Sequence, residues 1–83
     1  MDELVKRTLD YWRENLPHRY QRLSHEGRLQ ALAEEAVTAT KEAVARELSR
    51  GADQGSAWEA MSRVWMYPPS EEEVKEEARD NQI

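Results

Sequence analysis

Histidine is the side chain best suited to metal binding and proton transfer near neutral pH, and this chain has two. His18 and His25 lie near Glu14 and Glu26, a set that could imitate a His/carboxylate metal site. Zinc sites usually need three or four protein ligands at closer spacing, so two exposed surface histidines are the favoured interpretation. Ser24 precedes His25, but a catalytic triad needs three groups that converge in space, and no GxSxG motif is present.

Other motifs for bond-making chemistry are missing from the sequence. The three glycines, Gly27, Gly51 and Gly55, stand apart and form no phosphate-binding loop. The chain has no Cys, which excludes thiolate nucleophiles and Cys-type metal sites. We therefore expect no enzymatic activity, no catalytic residue, no metal and no cofactor.

Basic and aromatic residues alternate in the segment 11–28. Such a pattern can bind nucleic acid through phosphate contacts and ring stacking. The arginines concerned are Arg13, Arg19, Arg22 and Arg28. Acidic residues lie in the same stretch and the whole chain has a net charge of −5, so a nucleic-acid accessory protein is an alternative hypothesis beside a solvated face of mixed charge.

A cluster of large apolar residues lies further along the chain. Its members, taken as candidate protein-interface residues, are Trp58, Met61, Trp65, Met66 and Tyr67. Trp, Tyr and Met are enriched at the centres of protein interfaces, although the same residues could fill the core between helices. The leading hypothesis is a non-enzymatic interaction module that self-associates, as a homodimer or larger oligomer, or that binds and modulates, for example inhibits, a host protein.

The acidic residues concentrate at the C-terminal end of the chain. Residues 70–83 hold six acids and two bases, whereas residues 1–69 are nearly neutral. The acids are Glu71, Glu72, Glu73, Glu76, Glu77 and Asp80. Charge runs are commonly solvated, and a third hypothesis is that this segment imitates phosphates to block a nucleic-acid-binding protein. We expect one helical domain over 1–69, followed by an acidic segment that is a short helix or a frayed end.

The elements that position these residues are expected to be helices throughout. Good helix formers dominate, and no stretch alternates with a period of two. The spacing predicts helices over 2–16, 17–24, 28–50 and 57–66. The fold class expected is an all-α hairpin or small bundle of four to five helices built on the long helix 28–50, whose Ala-rich middle permits close approach of a neighbour. No apolar run approaches the length of a membrane span, and we expect a cytoplasmic location.

The residues 11–17 read Tyr-Trp-Arg-Glu-Asn-Leu-Pro, and Tyr20, Leu23, Gly27 and Leu29 follow. This pattern resembles the TnpV-like small proteins carried by transposons and phages. In that family a helix ends in a Lys/Arg-Glu-His/Asn-x-Pro element, and a Tyr, a Leu and a Gly precede a long helix. The resemblance implies a mobile-element or phage gene in a bacterial cytoplasm. The family has no established activity, so no functional residue is carried over.

Overall fold

A computed structural model of the chain describes residues 2–70. This part of the chain forms four α-helices and no strand, which confirms the predicted all-α class. The helices are α1 (Glu3–Asn15), α2 (Pro17–His25), α3 (Leu29–Ser49) and α4 (Gln54–Trp65). The predicted acidic C-terminal helix or frayed end lies outside the described residues, as does the third hypothesis that depends on it.

Proline separates the first two helices, as the sequence predicts. Asp2 caps α1, and its side chain accepts a hydrogen bond from the Leu4 backbone N–H at 3.0 Å. Leu16 leaves helical geometry, with φ −129° and ψ 58°, because Pro17 disfavours the α conformation in the residue before it. Pro17 then serves as the first residue of α2, where its missing N–H costs nothing. The two helices are therefore separate elements joined at Leu16.

Glycines end α2 and α3. Gly27 and Gly51 have positive φ values of 71° and 94°, a backbone region that side-chain-bearing residues rarely adopt. After α2, the Arg28 N–H donates to the Leu23 carbonyl at 2.9 Å, which satisfies a carbonyl at the helix end. These glycines let the chain reverse direction within a few residues.

The start of α4 corrects one prediction from the sequence. The capping-box pattern of Ser56 and Glu59 predicts a helix that begins at Ala57, but α4 begins three residues earlier. Its N-cap is Asp53, whose carboxylate accepts a hydrogen bond from the Ser56 backbone N–H at 3.1 Å. Asp caps helices as well as Ser does, and capping at this earlier position adds most of a turn of backbone hydrogen bonds.

The hydrophobic core lies where α3 packs against α1, α2 and α4. Its buried members are Val5, Trp12, Leu16, Leu23, Ala33, Val37 and Met66. The apolar residues that recur at helical spacing along α1 and at Leu16 face this core, because Val5, Trp12 and Leu16 are buried and Leu9 is partly buried. Trp12 and Met66 are the largest fully buried side chains, and they join the middle of α1 to the end of α4.

Two threonines are fully buried within the helices of this core. The hydroxyls of Thr8 and Thr40 donate to the carbonyls of Leu4 and Ala36, one turn earlier, at 2.8 Å in both cases. A buried polar group without a partner costs about 1–3 kcal/mol, so these bonds make the threonines tolerable there. Across residues 2–70, no buried side-chain polar atom lacks a hydrogen-bond partner.

Candidate protein-interaction surface

The segment that follows α4 is fastened to α1 by two neighbouring aromatic residues. The indole N–H of Trp12 donates to the Met66 carbonyl at 2.8 Å, and the Tyr11 hydroxyl donates to the Pro68 carbonyl. The rings of Tyr11 and Tyr67 also meet edge to face, with centroids 5.2 Å apart, a favourable aromatic arrangement. This clasp of Tyr11 and Trp12 fixes the position of the C-terminal end of α4.

Trp65 precedes the clasped segment and is the exposed tryptophan of the described chain. Its side chain is 44% exposed, and the adjacent Val64 is 58% exposed. Trp65 forms one wall of a shallow groove of about 300 Å³. The other lining residues are Leu32, Ala36 and Ala39 with Glu35, all from α3, and Arg19 from α2. We call this feature the Trp65 groove.

Small side chains on α3 explain why Trp65 remains uncovered. Trp58, Met61 and Trp65 recur at helical spacing and therefore share one face of α4. Trp58 and Met61 are partly buried, and Trp58 packs against the core. Next to Trp65, however, α3 presents Ala36 and Ala39, whose methyl groups are too short to fill the space beside an indole ring. A groove results where larger residues would have closed the core.

The rim of the Trp65 groove carries two opposite charges. Arg19 is partly buried, and its guanidinium lies 4.6 Å from the centroid of the Trp12 ring. This cation–π contact holds the arginine against the core. Glu35 is exposed on α3. A partner that fills the groove would thus meet an apolar floor, a large aromatic wall, one cation and one anion.

A second and wider cavity, of about 650 Å³, lies beside the clasp. Tyr11, Ser62 and Pro69 are among the described residues that line it, together with Glu59 and Arg63. The two charged groups pair with each other at 3.1 Å, and the Ser62 hydroxyl donates to the Glu59 carbonyl at 3.3 Å. The carboxylate is thus held by Arg63, and the hydroxyl by a backbone carbonyl of the same helix.

The five predicted interface residues differ in their exposure to solvent. Met66 is fully buried in the core, so it supports the fold and is not part of the exposed surface. Trp58, Met61 and Tyr67 are partly buried, and Trp65 alone of the five is exposed. Val64 belongs to the same apolar stretch of the sequence, whereas the sequence analysis missed the α3 side of the groove. The signal for the latter was the Ala-rich middle of the long helix, which indicates close packing as readily as a groove.

The histidines do not converge. His18 and His25 are both exposed on α2, seven residues apart, which corresponds to about 10 Å along the helix axis. Two histidines alone fall short of the three or four protein ligands that zinc sites usually need. Across residues 2–70, no three His, Asp or Glu residues lie close enough together to hold a metal ion.

The arginines of the nucleic-acid hypothesis lie in different environments. Arg13 lies 3.6 Å from the Asp10 carboxylate, and Arg28 lies 3.1 Å from that of Glu26. Arg22 is exposed on α2. Two of the four positive charges are thus offset by an adjacent acid, which lowers the attraction for phosphates.

No protein-family model, curated protein or solved structure matches the chain. None of the four described helices has both the length and the apolar character that crossing a bilayer requires.

Proposed function

We propose that this chain is a non-enzymatic protein–protein interaction module and that the Trp65 groove is its contact surface. The observation that supports this most directly is the exposed indole of Trp65, next to the exposed Val64, over an apolar groove. Tryptophan is among the residues that contribute most to binding energy at protein interfaces. Contiguous exposed apolar surface on a small protein commonly marks such a site.

The polar groups favour recognition over catalysis. The histidines stand two helical turns apart, and the Ser62 hydroxyl is engaged by a backbone carbonyl. Catalysis needs a nucleophile, a base and a charge-stabilising group aimed at one point, and the described cavities assemble no such set. The groove instead offers surface that a partner can cover.

The exposed area of Trp65 sets the scale of the expected affinity. A tryptophan side chain buries up to about 250 Å², so the exposed 44% of Trp65 corresponds to about 110 Å². Covering that area contributes about 2.7 kcal/mol, at roughly 25 cal/mol per Å². This energy corresponds to about a hundredfold in Kd.

The test compares Trp65→Ala with a matched control, Leu48→Ala. Leu48 is 41% exposed, also apolar, and lies on the last turn of α3 outside the groove. We expect Trp65→Ala to weaken binding of a captured partner about a hundredfold, and Leu48→Ala to change it little. Self-association should weaken still more, because both copies then lose the indole. Native mass measurement and a quantitative binding assay on the purified partner supply the readout, with circular dichroism as the check on folding.

Equal behaviour of the two variants would refute the proposal. If Trp65→Ala folds and keeps both its oligomeric mass and its partner affinity, the groove is not the contact surface. If both variants lose binding equally, general surface hydrophobicity and not this groove is responsible.

A second candidate function is favoured by the composition of α2. This helix contains two arginines and two histidines and no acid, so a nucleic-acid accessory role remains a competing proposal. It predicts binding to DNA or RNA that falls steeply with salt, and Arg22→Ala should reduce the salt slope by about one. A gel-shift assay that shows no complex at low salt would eliminate it.

Three finer parts of the leading proposal come from the sequence. They are a phage or mobile-element origin, modulation or inhibition of a host protein, and a cytoplasmic location. The identity of the neighbouring genes tests the origin, and a host-protein activity assay tests the inhibition. If inhibition is found, deletion of 70–83 decides whether the acidic segment carries it.

A further inference from the structure

A further shallow depression adjoins the Trp65 groove on α3. Its volume is about 420 Å³, and all of the residues that line it belong to α3. They are Ala31, Glu34, Glu35, Thr38, Ala39 and Glu42. Because Glu35 and Ala39 line both features, the apolar floor beside Trp65 continues into a surface of small side chains and carboxylates.

The carboxylates of this surface are not neutralised by neighbouring bases. Glu35 and Glu42 are exposed and take part in none of the ion pairs formed within the described part of the chain. Glu34 accepts a hydrogen bond at 3.3 Å from a side-chain amide, which is neutral. Lys41 and Arg46 are exposed on the same helix, but they line neither feature. The depression therefore offers three negative charges to a partner.

Arg19, which also lines the Trp65 groove, does not offset these acids. Its guanidinium is stacked 4.6 Å from the centroid of the Trp12 ring, and the side chain is engaged in a further interaction as well. Its charge is thus taken up within the chain. A partner complementary to the groove and the adjoining depression must therefore carry positive charge.

We infer that the Trp65 groove binds a basic amphipathic helix of a partner protein, which lies along α3. This inference rests on the proposed function and names the chemistry of the partner. Glu35 and Glu42 are seven residues apart, which places them on one side of α3 and about 10 Å apart along its axis. A helix packed alongside α3 repeats its side chains at the same interval. Two lysines or arginines seven residues apart can then face the two carboxylates.

The remaining side chains of this surface suit the same occupant. Ala31, Thr38 and Ala39 are small, so they let the backbone of a second helix approach α3 closely. Trp65 stands beside them as an apolar wall for the leucine-like side chains of the partner helix, as in other helix-in-groove complexes. The apolar contact then supplies affinity, and the carboxylates select against acidic helices.

Two synthetic peptides test the charge preference. The first is an amphipathic helix of leucine and lysine, with lysines seven residues apart beside its leucine stripe. The second has glutamate at every lysine position. Fluorescence anisotropy of a dye on each peptide measures the Kd for the full chain at physiological ionic strength. We expect the glutamate peptide to bind about 30-fold more weakly, since two attractions become two repulsions of similar size.

A matched pair of variants locates the effect on the protein. Glu35→Gln/Glu42→Gln removes two charges from α3, and Glu76→Gln/Glu77→Gln removes two from the acidic C-terminal segment. An exposed ion pair contributes a factor of about two to three in Kd, so the first variant should bind the lysine peptide about fivefold more weakly. The second should change its Kd less than about twofold. Gln is as good a helix former as Glu, and circular dichroism checks that both variants are folded.

The outcomes separate this inference from the proposed function. Three results overturn the basic helix: the lysine peptide does not bind, the glutamate peptide binds equally well, or the α3 variant loses no more affinity than the control. If Trp65→Ala still weakens a captured partner in any of these cases, the groove remains the contact surface and only the chemistry of the partner is wrong. If Trp65→Ala leaves the lysine peptide and every captured partner bound as before, the proposed function itself fails.

Discussion

Replacing Trp12 by Phe tests the clasp between α1 and the end of α4. Trp12→Phe keeps a buried ring but removes the N–H that donates to the Met66 carbonyl at 2.8 Å. A buried acceptor left without its donor costs about 1–3 kcal/mol, and the gap left by the smaller ring adds about 1 kcal/mol. We expect a total loss of about 3 kcal/mol, which is a large fraction of the roughly 5–15 kcal/mol typical of whole proteins.

Tyr11→Phe is the matched comparison, because it removes only the hydroxyl that donates to Pro68. Tyr11 is partly buried and its ring still contacts Tyr67, so we expect a loss of about 1 kcal/mol. Urea unfolding followed by far-ultraviolet circular dichroism measures both variants, since fluorescence would change with the loss of Trp12 itself. A loss below about 0.5 kcal/mol in Trp12→Phe, or a larger loss in Tyr11→Phe, would refute the assignment of the clasp.

Two further substitutions test the helix ends. Gly51→Ala forces a side chain into the backbone region at φ +94° and should lower the free energy of unfolding by about 1–2 kcal/mol. The midpoint of thermal unfolding should then fall by several degrees, and an unchanged midpoint would contradict that geometry. Asp53→Ala removes the N-cap of α4 and should cost about 1 kcal/mol in urea unfolding, whereas Ser56→Ala should cost clearly less. Equal losses at the two positions would show that the capping assignment is wrong.

The sequence predicts the helices well because their ends depend on local chemistry. Pro17 breaks the first helix and starts the second, and Gly27 and Gly51 end the next two, all through backbone effects within a few residues. The start of α4 is harder to place from sequence, because Asp53 and Ser56 are both good caps. Only the backbone path of the loop decides between them.

The surface is harder to predict than the helices. Helical periodicity predicts which face of a helix a side chain lies on. It does not predict whether a neighbouring helix is long enough to cover that side chain. Leu48 lies at helical spacing from the buried Val37 and Val44 of α3 and is nevertheless 41% exposed. α3 has 21 residues against 13 in α1 and 12 in α4, so neither neighbour can cover its whole length.

Long-range contacts set the remaining limits. Met66 is fully buried, and its carbonyl accepts the indole N–H of Trp12, 54 positions away in the chain. No local pattern indicates such a pair. The exposure of Trp65 depends in turn on which α3 residues line the groove beside it. The Ala-rich stretch is visible in the sequence, whereas the uncovered indole becomes apparent only once α4 is docked.

The bond between Trp12 and Met66 has a consequence for how the domain comes together. Each helix can form quickly from neighbours in the sequence, but this bond requires closing a loop of 54 residues, whose entropic cost grows with the logarithm of its length. We therefore expect this closure late in folding, after α4 has docked on α3. The first helix thus holds residues 66–68 in place, and a truncation there is expected to free that segment and change the orientation of Trp65.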